Sequence, residues 1–328
     1  MAALGYQFLK SHSLANRIEK EAFNRLKIAY LSTSAQNSYY QQELKQILGA
    51  FMKDGIPVIP LKGIILSQRL YGDITSRDQS VDFDLLVKEE AKEEAKSLLE
   101  RLGYCFRGSD EIKQWQWAYV FNKPPQKMIE LHWDITMMGR SEERIRGLWQ
   151  GSEIVDWEGI KYHDFKPEEL LLYLSAHLVN SDSFRTLRAP CDIERLLEKY
   201  GSTINWQRLV AKARQWQLRY SLYTGLVLNK DLFGYNFPPQ ILKMLKVSLP
   251  KRLFIKIFAA RSVVLRGGLR RKILDKFLAY TFFELIEASS LREYAAIFKR
   301  VFLPPKEAMS GRSYILRIFK GIKALLGN

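Results

Sequence analysis

Cysteine and histidine are scarce in this chain, which has two cysteines and four histidines among 328 residues. Cys105 and Cys191 lie far apart, so we expect reduced thiols in the core of a cytoplasmic protein. No Ser-His-Asp set, Walker-type phosphate loop or zinc-ligand spacing can be assembled. These absences exclude the best-marked hydrolase, P-loop and zinc-binding classes.

Long apolar runs are also lacking. Residues 1–20 contain no continuous apolar segment, so we expect no signal peptide. The best apolar stretch, Leu253 to Leu265, is interrupted by Lys256 and Arg261 and is too short to span a bilayer. The sequence therefore predicts a cytoplasmic protein that contacts a membrane at most peripherally.

The net charge of +16 is concentrated at one end of the chain. Residues 241–328 contain 19 Lys/Arg and 5 Asp/Glu, whereas residues 1–240 are nearly neutral. Such a segment attracts RNA, anionic lipid or an acidic partner protein. The same pattern also fits an amphipathic helix with a solvated basic face, and the sequence leaves these alternatives open.

The hydrophobic periodicity changes along the chain. It is helical over residues 14–53, and nearly all helical again from residue 166. The stretches between them that have strand character are 56–61, 81–87, 115–122 and 127–133. We therefore predict an α+β fold, in which residues 1–160 form a mixed-sheet core with N-terminal helices. Residues 161–328 are predicted to form an all-helical domain that includes the basic segment.

The strand at residues 81–87 carries two acidic side chains, Asp82 and Asp84. Side chains alternate between the two faces of a strand, so these carboxylates share one face and lie about 7 Å apart along the backbone. Like charges so placed repel each other unless a cation lies between them. Carboxylate oxygens suit Mg²⁺ or Mn²⁺, which also takes ligands from substrate phosphates.

Two basic features precede that strand. Lys62-Gly63 stands where a proline-bounded strand turns into a helix, and a glycine at a helix start lets backbone N–H groups approach phosphate. The charge of Lys62 would add to this site. Arg77, in the loop before the acidic strand, could reach either the phosphates or the carboxylates. An ordinary turn and a solvated arginine remain the alternatives.

A third acid, Glu130, lies in the next predicted strand, where Met128, Glu130 and His132 share a face. A carboxylate in an apolar strand is costly to bury unless it is paired or bound to metal. Glu130 is therefore a candidate third carboxylate, which could bind metal or accept a proton from an attacking hydroxyl.

Together these residues resemble a known family, the uncharacterised nucleotidyltransferases of the DNA polymerase β-like superfamily. The resemblance covers roughly residues 20–240. The matching motifs are Leu61-Lys62-Gly63, Leu70-Tyr71-Gly72-Asp73, Arg77, the strand from Asp82 to Val87, Gly103-Tyr104 and Ile129 to Trp133.

The resemblance implies a minimal nucleotidyltransferase core with a helical partner domain. It implies that Asp82, Asp84 and Glu130 coordinate Mg²⁺ or Mn²⁺, and that Lys62, Gly63 and Arg77 bind the nucleotide, for example ATP. The expected reaction is transfer of NMP from an NTP to an acceptor hydroxyl.

Two alternatives to this reaction remain. The acceptor could be a tRNA or a protein, as in toxin-like relatives, or the fold could bind nucleotide as a scaffold without turnover. The second alternative rests on Ile64, which follows Gly63 where the superfamily usually has serine.

Overall fold

The computed structural model describes most of the chain up to residue 258. The described residues are 2–77, 82–106, 118–124, 127–136, 141–179, 187–258 and the single residue Ala295. Two compact units divide the chain, residues 1–170 and 171–328. Most of the basic C-terminal segment lies outside the described residues, so the alternatives for its partner stay predictions.

The described residues between 2 and 177 form six α-helices. They are α1 (Ala2–Ser11), α2 (Lys20–Lys53), α3 (Ile64–Tyr71), α4 (Lys92–Arg101), α5 (Glu142–Gln150) and α6 (Pro167–His177), with short 3₁₀ helices at Ala15–Arg17 and Glu89–Ala91. The long helix α2 ends at Asp54-Gly55, where Gly55 has a φ of 68°. This end agrees with the helical periodicity predicted for residues 14–53.

A five-stranded mixed sheet forms the centre of the first unit. Its strands are β1 (Val58–Pro60), β2 (Asp82–Val87), β3 (Cys105–Phe106), β4 (Ala118–Asn122) and β5 (Met128–His132). Their order across the sheet is β1-β2-β5-β4-β3. Only β2 and β5 are parallel; the other neighbours are antiparallel. The predicted α+β class and mixed sheet are confirmed.

Side chains of β2 and β5 alternate between the two faces of the sheet, as predicted, and one of these faces forms the apolar core. Phe83, Leu85 and Val87 are buried on one face of β2, and Ile129 and Leu131 are fully buried on the same face of β5. They belong to one apolar cluster with side chains from the last turns of α2, which are Leu44, Ile47, Leu48 and Phe51. Burying these apolar surfaces holds the two strands together. The opposite face carries Asp82, Asp84 and the buried Leu86 of β2, next to Glu130 and His132 of β5.

A hairpin that the sequence analysis did not identify follows α5. Strands β6 (Ser152–Trp157) and β7 (Ile160–Phe165) are antiparallel and are joined by Glu158-Gly159. Both loop residues have positive φ, 55° and 85°, as a type I′ turn requires. Glutamate is an unusual first residue for such a turn, and β6 is largely exposed, so neither turn chemistry nor alternation marks the hairpin.

The described part of the second unit is helical. Beyond α6 it contains α7 (Arg188–Tyr200), α8 (Trp206–Gln215), α9 (Arg219–Phe233), α10 (Gln240–Met244) and α11 (Leu249–Phe258). The predicted helical character is confirmed for these residues. Among the described helices, none has the length and hydropathy that crossing a bilayer requires.

The two cysteines differ in their surroundings. Cys191 is buried in α7, as expected, but Cys105 is exposed. The prediction of a core thiol was wrong for Cys105 because this residue begins β3, a two-residue strand at the edge of the sheet.

Candidate active site

The parallel pairing of β2 with β5 aligns the acidic residues of the two strands. Asp84 is the register partner of Glu130, and Asp82 that of Met128. Neighbouring strands lie about 4.8 Å apart, so Asp84 and Glu130 project side by side from the sheet. This face is opposite to the apolar one that packs against α2.

Three side chains meet on this face. Asp84, Glu130 and His132 each offer one possible ligand atom, and these three atoms lie within 4.8 Å of one another. His132 Nε2 is 3.1 Å from Asp84 Oδ1 and 3.5 Å from Glu130 Oε2. The side chains of Asp84 and His132 are almost completely buried, but 32% of the Glu130 side chain is exposed, so the cluster opens to solvent at Glu130.

Lys62 completes the cluster from the turn that follows the neighbouring strand β1. The backbone N–H of Leu61, just after β1, donates to the carbonyl of Asp84 at 2.9 Å, which fixes the next residue beside β2. The Lys62 Nζ atom lies 2.9 Å from Asp84 Oδ2 and 3.8 Å from Asp82 Oδ1. Asp82 lies outside the three-residue group but joins it through this shared lysine.

The protonation of the cluster follows from its charges. Burial by itself would raise the pKa of Asp84, but Lys62 and the hydrogen bond with His132 outweigh it and hold that pKa below its usual range. Burial would likewise lower the pKa of Lys62, but Asp84 and Asp82 raise it. The pKa of His132 is also raised, against burial, by its hydrogen bonds with Asp84 and Glu130. The carboxylates of Asp82, Asp84 and Glu130 thus favour the charged forms of Lys62 and His132 within one cluster.

Gly63 forms the turn into α3. Its φ of 79° and ψ of −133° lie in a region that side-chain-bearing residues rarely adopt, and it is the residue that caps the helix. Ile64, the next residue, is fully buried in the core. The position where the superfamily usually has serine is thus a packing position in this chain.

We expect Gly63→Ala to lower the free energy of unfolding by about 2–3 kcal/mol, since alanine is strained at these backbone angles. Gly72→Ala is the matched control, because Gly72 ends the same helix at a φ of 78° and a ψ of −5°. There, in the milder left-handed region, the cost is about 1 kcal/mol. Urea denaturation of both variants measures the difference, and equal losses would contradict the strain at Gly63.

The loop that carries Arg77 is held by the two N-terminal helices. Asp73 Oδ1 accepts the backbone N–H of Ser76 at 2.7 Å, and Asp73 Oδ2 accepts from Gln7 Nε2 of α1 at 2.7 Å. Asn37 Nδ2 of α2 donates to the carbonyl of Arg77 at 3.2 Å. Arg77 itself is buried, and its charge contributes to lowering the pKa of Lys127. The described part of the loop, up to Arg77, is therefore anchored by both helices.

Lys127 and Glu43 are two buried charged residues that the sequence analysis missed. Lys127 Nζ lies 4.1 Å from the ring centre of Tyr40 and 5.0 Å from that of Phe83. Burial lowers its pKa to about 8, although Asp82 and Glu43 act in the opposite direction. Glu43 Oε1 accepts from Tyr104 Oη at 2.6 Å and from the backbone N–H of Lys127 at 3.1 Å.

A local sequence signal for this arrangement is lacking. Glu43 belongs to the helical pattern of α2, and Lys127 is the first residue of a predicted strand. Only the tertiary fold brings them together.

The sequence model of a family described as "Uncharacterised nucleotidyltransferase" matches residues 1–234. This match spans well over half of the 328 residues, and the chain belongs to that family. The class of enzyme is accordingly a nucleotidyltransferase, as the motifs around Asp82 and Glu130 indicated. No curated protein matches the chain.

Two similar solved structures are both of ANT(2'')-Ia, described as an antibiotic-resistance factor. Its solution structure has a TM-score of 0.40 and 15% identity, and covers 56% of this chain and 95% of the other. A crystal structure of its complex with adenylyl-2''-tobramycin has a TM-score of 0.38 and 14% identity, and covers 56% and 99%.

Proposed function

We propose that the chain transfers NMP from an NTP to a hydroxyl group of an acceptor, with Asp82, Asp84 and Glu130 holding a divalent cation. The observation that supports this most directly is the parallel pairing of β2 with β5, which sets Asp84 beside Glu130 on a face partly open to solvent. Lys62 contacts the same cluster, and Gly63 follows it in the chain.

The side chains present fit a divalent cation. Carboxylate oxygens from two strands, with an imidazole nitrogen, lie within 4.8 Å of one another. Oxygen-rich sets of this kind suit Mg²⁺ or Mn²⁺. These carboxylates already attract positive charge, because they raise the pKa values of Lys62 and His132 in spite of burial. When bound, a divalent ion would neutralise phosphate charge and polarise the phosphorus–oxygen bonds.

The chain's own groups would bind and orient the triphosphate. Lys62 offers an ammonium group whose present partners, Asp84 and Asp82, are within 3.8 Å. Gly63 caps the start of α3, and the N–H groups at a helix start favour anions. Arg77, in the loop before β2, would add a second positive charge for phosphate oxygens. Nucleotide binding by these three residues is part of the proposal.

In the proposed reaction the acceptor oxygen forms a bond to the α-phosphorus, while the bond from that phosphorus to the β-phosphate oxygen breaks. Pyrophosphate leaves with the bonding electron pair. Glu130 accepts the proton of the attacking hydroxyl, a role for which it is the best placed of the three acids because its carboxylate is the most exposed. Asp84 is too buried to meet an acceptor directly.

Transfer of label tests the proposal. The full chain is incubated with α-³²P-labelled NTPs, Mg²⁺ or Mn²⁺, and cell lysate or purified tRNA, and labelled molecules are separated and counted. We expect label on one class of acceptor, with release of pyrophosphate, and no label with the Asp82→Ala/Asp84→Ala double variant. Equal labelling by that variant and by the wild-type chain would contradict the proposed mechanism. Binding of ATP without pyrophosphate release for any acceptor would instead favour a non-catalytic nucleotide-binding protein.

A further inference from the structure

Both oxygens of the Asp84 carboxylate are engaged by positively charged or proton-donating groups of the protein. Oδ1 faces His132 Nε2 at 3.1 Å, and Oδ2 faces Lys62 Nζ at 2.9 Å. Lys62 reaches Asp82 as well, at 3.8 Å. The ammonium group therefore lies between the two carboxylates that the proposed function assigns to a divalent ion.

A divalent ion and this ammonium compete for the same position. Mg²⁺ binds oxygen at about 2.1 Å. An ion on Asp84 Oδ2 would therefore stand only about 3–4 Å from the Lys62 nitrogen if the lysine stayed in place. Solvent screens the repulsion poorly, because only 13% of the Lys62 side chain and 5% of the Asp84 side chain are exposed. Metal binding thus requires Lys62 to leave.

Lys62 can leave at low cost only if it gains new anionic partners, since a buried ammonium that loses its carboxylates is strongly destabilised. The phosphates of an NTP supply such partners. The lysine side chain is long and flexible, and it is attached immediately before Gly63, the cap of α3. It can turn from the carboxylates to phosphate oxygens near this helix start with little movement of the backbone.

We propose that Lys62 is an internal counter-ion that keeps free divalent cations out of the site until the phosphates of a nucleotide draw it away. The metal and the triphosphate then bind as a coupled pair rather than independently. This inference rests on the proposed function, and it adds an order of events that the acidic residues alone do not imply. If Lys62 only stabilised the fold, its removal would leave the metal affinity of the nucleotide-free protein unchanged or would lower it.

Mn²⁺ binding to the full chain tests this without any catalytic turnover. Electron paramagnetic resonance of free Mn²⁺ gives the affinity with and without a non-hydrolysable analogue, α,β-methylene ATP, with the analogue's own Mn²⁺ binding measured separately. Wild-type protein should bind Mn²⁺ weakly alone and at least about tenfold more tightly with the analogue. Lys62→Met should bind Mn²⁺ alone about tenfold or more tightly than wild type, because the competing charge is gone.

Three further variants sharpen the result. Lys62→Gln should behave like Lys62→Met, and Lys62→Arg, which keeps the charge, should retain weak binding of free Mn²⁺. Lys45→Met is the control for loss of a lysine ion pair elsewhere, since Lys45 pairs with Glu158 at 2.6 Å, and its Mn²⁺ affinity should match wild type. Circular dichroism confirms that each variant is folded.

The outcomes separate this inference from the function on which it rests. Equal Mn²⁺ affinity of the wild-type protein with and without the analogue overturns the counter-ion role of Lys62, and so does an unchanged affinity in both folded neutral variants. Label transfer would persist in either case, and the proposed function would stand. Absence of Mn²⁺ binding under every condition would overturn both proposals.

Discussion

We expect an Asp84→Asn variant to transfer label at least about a thousandfold more slowly than the wild-type chain, the scale of loss seen when one preorganised electrostatic group is removed from an active site. The substitution preserves size but removes the charge that both Lys62 and His132 contact. It also removes the central oxygen ligand of the proposed metal site. Initial rates of label incorporation at saturating NTP measure the effect.

Asp164→Asn is the matched control for that variant. Asp164 is also a buried aspartate of the first unit, and it pairs with Arg69 at 2.8 Å, but it lies in β7 rather than in the acidic cluster. Its loss should lower stability yet leave the transfer rate of the folded protein within about threefold. If Asp84→Asn keeps a tenth or more of the wild-type rate, the chemistry takes place elsewhere in the protein.

Much of the first unit can be predicted from local patterns. The alternation of Asp82, Phe83 and Asp84 fixes which face of β2 joins the apolar core, whatever strand lies beside it. The same holds for β5, whose Ile129 and Leu131 are fully buried. These two patterns sufficed to predict that the side chains of Asp82, Asp84 and Glu130 project from the face opposite to the apolar one.

Pairing between distant segments could not be predicted in the same way. That β5 lies parallel to β2, with Glu130 opposite Asp84, depends on the connection through α4 and on the order of all five strands. Sequence analysis placed Lys62 near phosphate, but its contact with Asp84 follows from the antiparallel pairing of β1 with β2. Local propensity contains no information on such contacts.

Charged residues buried by tertiary contacts were the other class that escaped prediction. Lys127 is 4% exposed, and Glu43 is 8% exposed, although lysine and glutamate are normally surface residues. Each is tolerated because the fold supplies aromatic faces, a tyrosine hydroxyl or a backbone N–H. A sequence position shows its residue type but not these partners, so the default expectation of exposure fails there.

A second large effect is expected at the end of β5, where Asp134 and Arg144 form a buried ion pair. Arg144 Nε donates to Asp134 Oδ1 at 2.8 Å, and Arg144 Nη2 donates to Asp134 Oδ2, so the guanidinium engages both carboxylate oxygens. Arg144 is fully buried and Asp134 is 4% exposed. We expect Arg144→Met to lower the free energy of unfolding by about 3–5 kcal/mol, because it leaves the Asp134 charge in the interior without its guanidinium.

The comparison that isolates burial is Arg101→Met, which removes a surface arginine paired with Asp54 in the same unit. That loss should cost less than about 1 kcal/mol, since solvent screens an exposed pair. Adding Asp134→Leu to Arg144→Met should recover part of the stability, because the unpaired charge is then gone. Urea denaturation measures all three, and a loss below about 1 kcal/mol for Arg144→Met would contradict a buried pair. Since Asp134 stands two residues beyond His132, the pair also fixes the strand end that presents His132 and Glu130 to Asp84.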